Sequence, residues 1–328
     1  MKRKIYFRAD AGTDIGYGHF IRTLALADIL KDRFDCYFVT NCPTAYQLDE
    51  IQKVCFYQSL PHASSHLEAF LSLLNGNEIV VLDNYFFSTD YQRRIKEKGC
   101  KLVCIDDMHD KHYVADIVIN HSLGVTEQDF SKESYTRLYL GLSYALLRKP
   151  FLDVVELSHK SFQHSDKLNI VLSFGGADCF SLTWKYIECL KDIEKIQSIV
   201  AIIGDAFLIE NAIPYPKVSY RKNLSAEEMV ALFCSSDLAI LPSSSVMKEA
   251  LACGIVVIGG YFVENQLNSY HCFQKQNAII GVGDYNLFET MLSVQKLFLD
   301  DSLKKIELRK GLIPTCVSEN LVNIFRTL

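Results

Sequence analysis

Short apolar runs alternate along this chain with longer amphipathic stretches. In the first half, the pattern predicts strands at 4–9, 36–40, 54–57, 79–83, 102–106, 116–120 and 138–140, and helices at 18–31, 62–75 and 88–98. In the second half, it predicts strands at 168–176, 198–204, 237–242, 254–260 and 278–282, with helices between them and a helical tail over 285–328. Continuous Val, Ile and Leu runs are typical of strands buried on both faces. The alternation therefore predicts α/β architecture with parallel sheets and crossover helices.

The alternation breaks over residues 121–167, where a polar segment separates the two sets of predicted elements. We place the domain boundary there, which predicts one doubly wound domain over 1–150 and a second over 151–328, including the C-terminal helices. Open α/β sheets bind ligands at the carboxyl ends of their strands. If the two domains face each other, both of these edges open on one cleft, so the functional residues should follow strands.

Composition excludes several classes of protein. The 328 residues carry a formal net charge of −5 without a basic run, which argues against a nucleic-acid partner. The eleven cysteines form no Cys-x-x-Cys pair, as is typical of reduced thiols in a cytoplasmic protein. There is no signal-peptide pattern and no apolar run of membrane-spanning length, so we expect no stable membrane insertion.

The stretch "DAGTDIGYGHFIR" follows the first predicted strand. Gly16 and Gly18 allow a sharp turn, and His19 falls in the first turn of the next helix. The helix dipole there disfavours an imidazolium, so His19 should stay neutral and able to accept a proton from water. Residue types alone fit equally well a tight turn followed by a histidine that caps the helix.

The stretch "LPSSSVMKEAL" places serines between a predicted strand and a helix start. The hydroxyls of Ser244 and Ser245 and the free amides of a helix N-terminus make an anion site suited to a diphosphate. Glu249, one turn later, is placed to accept the hydroxyls of a ribose. A serine-capped helix with a solvated glutamate is the simpler alternative for the same residues.

Two further loops follow predicted strands of the second half. "FGGADCFS" contains Gly176, which opens the backbone, Asp178, which can accept hydrogen bonds, and Ser181, which can cap the next helix. "ENQ" offers the amides of Asn265 and Gln266 to sugar hydroxyls, unless it only begins the next helix.

Acidic residues end two strands of the first half. Asp83, Asp106 and Asp107 either bind a divalent ion or cap the following turns, and capping is the commoner role. Arg22, one turn after His19, is placed to pair with Asp10 or Asp14.

Together these motifs resemble the UDP-sugar hydrolases of pseudaminic acid biosynthesis. The match runs over about residues 4–282 and includes "LDNY", "IDD", "GLSYALLR", "FGGAD", "SSSVMKEAL" and "ENQ". Its most specific part is the pattern R-x-D…I-G-x-G-H-x-x-R, which is filled from Arg8 to Arg22. The second-half motifs are shared with GT-B glycosyltransferases.

The resemblance implies a GT-B fold, in which two Rossmann-like domains have parallel sheets that face each other across a cleft. It implies hydrolysis of a UDP-linked 2,4-diacetamido-2,4,6-trideoxyhexose, with His19 as the catalytic base and with no metal or other cofactor. The implied UDP contacts are Gly176, Asp178, Ser181, Ser244, Ser245 and Glu249. The implied sugar contacts are Gly16, Gly18, Tyr85, Asn265 and Gln266. Ser181 stands where the family more often has asparagine, which puts one ligand hydrogen bond in doubt.

Two other functions fit the same features. A GT-B glycosyltransferase would use the same donor and pass the sugar to an acceptor hydroxyl. A nucleotide-sugar binding or regulatory protein would hold the ligand without chemistry. Release of free sugar from the donor alone would distinguish the hydrolase from both.

Overall fold

The computed structural model describes residues 2–12, 17–61, 65–155, 167–175, 178, 180–204, 215–300, 302–305, 308–309 and 311–328. These residues form two compact units. The first unit contains residues 1–149 and 315–328, and the second contains residues 150–314. Gly16 and Gly176, two of the predicted ligand contacts, lie outside the described residues.

The first unit is built on a seven-stranded parallel sheet. Its strands are β1 (Lys4–Arg8), β2 (Asp35–Thr40), β3 (Phe56–Ser59), β4 (Ile79–Leu82), β5 (Lys101–Ile105), β7 (Ile117–Asn120) and β9 (Arg137–Leu140), and the short β6 (His112–Tyr113) and β8 (Ser131–Lys132) pair separately. Its helices are α1 (Gly18–Leu30), α2 (Ala45–Val54), α3 (His66–Ser72), α4 (Thr89–Glu97) and α11 (Val317–Arg326). The strand order is β3-β2-β1-β4-β5-β7-β9.

The second unit is built on a six-stranded parallel sheet with the order β12-β11-β10-β13-β14-β15. Its strands are β10 (Leu168–Leu172), β11 (Ile196–Ile203), β12 (Val218–Lys222), β13 (Leu238–Pro242), β14 (Val256–Tyr261) and β15 (Ile280–Asp284). Its helices are α6 (Leu182–Leu190), α7 (Ala226–Ser235), α8 (Ser245–Ala252), α9 (Leu267–Lys275) and α10 (Phe288–Leu299), and α5 (Lys149–Val155) lies at the boundary.

In each sheet, the chain first adds strands on one side of the first strand and then adds the remaining strands on the other side. The chain extends from β1 to β2 and β3 on one side and then returns to β4 on the other side of β1. The second sheet repeats this pattern, with β13 returning beside β10. In such sheets the ligand crevice opens at the carboxyl ends of the two strands that flank the reversal. The loops after β1 and β4, and those after β10 and β13, are therefore the places to search for a site.

The central strands are predicted well because they are buried on both faces. All of β4 is buried, and four of the five residues of β1 are buried. The sequence pattern missed β12, an edge strand with the sequence VSYRK whose residues are all at least partly exposed. An edge strand of this kind lacks the continuous apolar run on which the prediction relied.

The end of the chain departs from the predicted domains. The predicted boundary after residue 150 lies one residue from the observed break, but residues 315–328 group with the first unit and not with the second. The reason is the apolar face of α11, which is buried on α1. Phe325 packs against Phe34 with ring centroids 6.3 Å apart, and the Asn320 side chain donates to the carbonyl of Ser143 at 3.1 Å. Among the described helices, none is both long enough and apolar enough to cross a bilayer.

Candidate active site

A pocket opens in the first unit at the carboxyl ends of β4 and β5. Its polar lining comes from α1, from the residues after these two strands, from α4 and from β6 with the residue before it. The polar lining residues are His19, Arg22, Asp83, Asn84, Tyr85, Gln92, Asp106, Asp107, Lys111 and Tyr113. This is the edge of the sheet at which the strand order reverses.

His19 and Asp83 reach this pocket from neighbouring strands. His19 is the second residue of α1, which follows β1, and Asp83 comes directly after β4. Because β1 and β4 pair in parallel, their carboxyl ends lie side by side. Residues that are 64 positions apart in the sequence are thereby brought into contact.

The contact between these two side chains determines the tautomer of the histidine. Nδ1 of His19 lies 2.7 Å from Oδ1 of Asp83, whose side chain is fully buried. Nδ1 also lies 3.0 Å from Nη2 of Arg22, which only donates. We assign the proton to Nδ1 because its contact with the carboxylate, which only accepts, is the shorter of the two, and Nε2 then keeps its lone pair. Among the described residues, none forms a hydrogen bond with Nε2. The contact with Asp83 therefore orients the imidazole through Nδ1.

Arg22 binds both oxygens of the Asp83 carboxylate. Its Nε donates to Oδ2 at 2.6 Å and its Nη2 to Oδ1 at 2.5 Å, and Thr23 adds a hydroxyl at 2.8 Å. Nη1 of Arg22 donates to Asp107 at 2.7 Å. The predicted pairing of Arg22 with Asp10 is wrong, because the guanidinium binds Asp83 and Asp107 after β4 and β5. Asp10 pairs instead with the buried Arg8. The other predicted partner, Asp14, lies outside the described residues.

The charges in this cluster lower the pKa values of its two carboxyl groups. Burial raises the pKa of the Asp83 carboxyl, but the Arg22 guanidinium and His19 outweigh this effect and lower that pKa to about 2. Burial likewise opposes ionisation of Asp107, and Arg22 again outweighs it, so the pKa of Asp107 is lowered. Both carboxylates are thereby kept ionised beside the guanidinium of Arg22.

The three strand-end aspartates have different roles. Asp106 caps a turn, because its carboxylate accepts the backbone N–H groups of Met108 at 3.2 Å and His109 at 2.8 Å. Asp83 and Asp107 cap nothing and instead hold Arg22. Within the described part of the chain, no group of three or more His, Cys, Asp or Glu side chains is placed to hold a metal ion.

Asn84 and Tyr85 continue the loop after β4. The Asn84 side chain accepts the backbone N–H of Asp10 at 2.7 Å and donates to its carbonyl at 3.3 Å, which ties this loop to the one after β1. The Tyr85 ring stands perpendicular to the imidazole of His19, with centroids 4.6 Å apart. Gly18 begins the helix that carries His19. Three of the predicted residues, Gly18, His19 and Tyr85, therefore lie together.

The serine loop of the second unit ends at the N-terminus of α8. Ser244 occupies the cap position without a side-chain cap bond, and Ser245 is the first helical residue. The hydroxyl of the preceding Ser243 is buried and has no hydrogen-bond partner in the described structure. Glu249 is buried one turn into the helix. Uncapped amides beside an unpartnered hydroxyl suit a polyanionic ligand.

The loop after β10 lies across the strand reversal from the serines. Asp178, and not Ser181, caps α6: its carboxylate accepts the N–H groups of Leu182 at 2.8 Å and Thr183 at 3.0 Å. Ser181 occupies the cap position with φ of 54° and makes no side-chain cap bond, so its predicted capping role is wrong. Both oxygens of Asp178 are engaged within the loop, and the hydroxyl of Ser181 makes no bond to the helix.

The residues after β14 divide into an exposed and a buried amide. Asn265 is exposed. Gln266 is buried, and its side-chain oxygen accepts the N–H of Phe262 at 3.1 Å. Gln266 thus shapes the turn before α9, while Asn265 presents its amide to solvent.

No family model matches the chain. It is 25% identical over 271 residues to UDP-2,4-diacetamido-2,4,6-trideoxy-beta-L-altropyranose hydrolase of Campylobacter jejuni, covering 80% of this chain and 93% of the relative. This relative confirms the resemblance predicted from the motifs.

Two other curated relatives align over most of the chain. It is 23% identical over 327 residues to the spore coat polysaccharide biosynthesis protein SpsG of Bacillus subtilis, covering 96% of this chain and 95% of the relative. It is 27% identical over 289 residues to the uncharacterized protein MJ1062 of Methanocaldococcus jannaschii. That match covers 83% of this chain but 58% of the archaeal protein, so the chain spans little more than half the length of this relative.

Solved structures show the same architecture at low sequence identity. MurG of Acinetobacter baumannii aligns with a TM-score of 0.64 and 11% identity, covering 99% of this chain and all of that chain. The calicheamicin glycosyltransferase CalG4 aligns with a TM-score of 0.65 and 11% identity, covering 99% of this chain and 98% of that one. These likenesses confirm the predicted GT-B fold.

Proposed function

We propose that this chain hydrolyses a UDP-linked 2,4-diacetamido-2,4,6-trideoxyhexose to the free sugar and UDP. The observation that carries the proposal is the buried Asp83, which holds Nδ1 of His19 and leaves Nε2 as a base beside a polar pocket. The named activity of the Campylobacter relative supports this choice of substrate.

In this proposal, Nε2 of His19 removes a proton from water as the water oxygen attacks the anomeric carbon. The bond between that carbon and the β-phosphate oxygen breaks, and its electron pair leaves with UDP. Asp83 would stabilise the imidazolium that forms, through its contact with Nδ1. No protein side chain becomes covalently bound to the sugar.

We assign the remaining contacts to the two halves of the substrate. Ser244, Ser245 and Glu249 would bind UDP through the N-terminal end of α8, together with the loop of Gly176, Asp178 and Ser181. Because both oxygens of Asp178 already bind α6, we expect this residue to shape the loop and the backbone to contact the nucleotide. The sugar would contact Gly16, Gly18, Tyr85, Asn265 and Gln266.

Replacing the proposed base tests the mechanism. We expect His19→Ala to lower kcat by about 10²–10⁴-fold with little change in KM, because binding groups remain in place. The assay is release of free sugar from the UDP-sugar alone, in ¹⁸O-labelled water. Label in the sugar and not in UDP would establish cleavage at the anomeric carbon. Near-normal turnover by His19→Ala would refute the role of this base.

The second candidate is a GT-B glycosyltransferase that uses the same donor. Its support is the fold, which this chain shares with the glycosyltransferase CalG4. A transferase requires an acceptor, so an intact UDP-sugar after long incubation in buffer, followed by turnover on addition of an acceptor, would favour it.

A further inference from the structure

Tyr85 packs against the proposed base, and both its hydroxyl and its backbone carbonyl form hydrogen bonds. Its ring packs perpendicular to the imidazole of His19, with centroids 4.6 Å apart. Its hydroxyl donates to Oδ2 of Asp107 at 3.3 Å, and its backbone carbonyl accepts from Nζ of Lys111 at 3.0 Å. Tyr85 is 42% exposed, whereas the His19 side chain is 6% exposed. The partly exposed Tyr85 ring is therefore one of the groups that pack against the buried imidazole.

This placement limits what can approach the base. A nucleophile has to lie about 2.6–3.2 Å from Nε2 for its proton to be transferred. Water needs about 30 Å³. An alcohol brings at least one carbon to the same place, where it would have to fit beside the Tyr85 ring. A hydrophobic site that excludes one methyl-sized group discriminates by about 10–200-fold against the larger of two reactants.

We propose that the Tyr85 ring restricts the nucleophile to water and so prevents transfer of the sugar to alcohols. The inference rests on the proposed hydrolase function and extends it to the choice of acceptor. Without the ring, the oxygen of a small alcohol would form the bond to the anomeric carbon while the bond to the β-phosphate oxygen breaks. The electron pair of that bond leaves with UDP, and the alcohol proton passes to Nε2 of His19. The product is an alkyl glycoside in place of the free sugar.

The test measures the ratio of methyl glycoside to free sugar when the UDP-diacetamido sugar is turned over in water containing methanol. We expect the ratio to rise about tenfold or more in Tyr85→Ala and less in Tyr85→Leu. Tyr85→Phe keeps the ring and should stay near the wild-type ratio. Phe86→Ala is the matched control, because Phe86 is also 42% exposed and its ring faces His66, with centroids 6.1 Å apart.

Each outcome bears on the inference. A raised ratio in the Ala and Leu variants, with an unchanged ratio in Tyr85→Phe and Phe86→Ala, supports it. An unchanged ratio in the Ala and Leu variants overturns it, as does an equal rise in Phe86→Ala, which would show general loosening of the loop. Loss of all turnover in both the Ala and Leu variants also overturns it, because the ring would then take part in the chemistry itself. A wild-type protein that releases no free sugar would instead refute the underlying hydrolase function.

Discussion

Replacing Asp83 with asparagine would separate the tautomer of His19 from the packing around it. Asparagine has nearly the same shape, and its amide oxygen can still accept from Arg22 and Thr23. With that oxygen kept on the Oδ2 side, the NH₂ group would take the place of Oδ1, which now accepts from Nη2 of Arg22 at 2.5 Å and contacts Nδ1 of His19 at 2.7 Å. The variant therefore also loses one hydrogen bond from Arg22. Two donors cannot share that contact, so the imidazole proton should move to Nε2. The nitrogen that we assign as the base would no longer have a free lone pair.

The expected magnitudes follow from the same contacts. A wrong tautomer at an otherwise intact base should lower kcat by roughly 10²–10⁴-fold, with KM changed little. The pKa of Asp83 falls from an ordinary value of 3.8 to about 2, which corresponds to about 2 kcal/mol of folding free energy. Because the pKa is lowered on folding, that contribution is present above pH 3.8 and is lost as the pH falls towards 2.

The assay is steady-state release of UDP, with urea unfolding measured on the same protein. Asp116→Asn is the matched control: this carboxylate also has a lowered pKa, since Lys96 and the N–H of Leu102 outweigh its burial, but it does not contact His19. We expect Asp116→Asn to lose stability and keep kcat. Wild-type kcat in Asp83→Asn would refute the assignment of Asp83 as the residue that orients His19.

Four other outcomes are expected. Arg22→Met should lower the free energy of unfolding in urea by about 3–5 kcal/mol, because it leaves the Asp83 and Asp107 carboxylates without their cation, and a loss below ~1 kcal/mol would contradict this. In acid titrations, the free energy of unfolding of the wild type should fall between pH 3.8 and about 2, and Asp83→Asn should flatten that part of the curve. Ser243→Ala should leave stability within ~0.5 kcal/mol, since its hydroxyl has no partner in the described structure, yet weaken UDP binding in calorimetry about tenfold. Phe325→Ala should cost about 3–5 kcal/mol in thermal unfolding, and an unchanged Tm would show that α11 adds little to the first unit.

The sequence pattern predicts the buried strands well, but it predicts the ends of short elements poorly. Strands such as β4 are apolar at every position because both faces are covered, and such a run is visible without any partner. The start of β3 was predicted two residues early, at 54, because Val54 ends α2 in the structure. Short apolar runs do not show by themselves where a helix stops and a strand starts.

The sequence predicts only those parts of the candidate site that depend on residues close together in the chain. The glycine-rich turn identifies His19 because the turn and the helix start are adjacent in the sequence. Its partner Asp83 is 64 residues away, and the contact between Arg22 and Asp107 joins residues 85 positions apart. Local spacing instead suggested Asp10 and Asp14 for Arg22. Contacts of this kind depend on which strands become neighbours, which the topology determines and the pattern of single residues does not.

The return of the last helix to the first unit has a practical consequence for dissecting the molecule. Residues 150–314 form one uninterrupted stretch with its own sheet, so they can be expressed as a single segment. A fragment that stops at residue 149 would leave bare the apolar strip of α1 that α11 covers, and that strip would promote aggregation. An isolated histidine-bearing half therefore needs residues 315–328 spliced back onto it, whereas the serine-bearing half needs no addition.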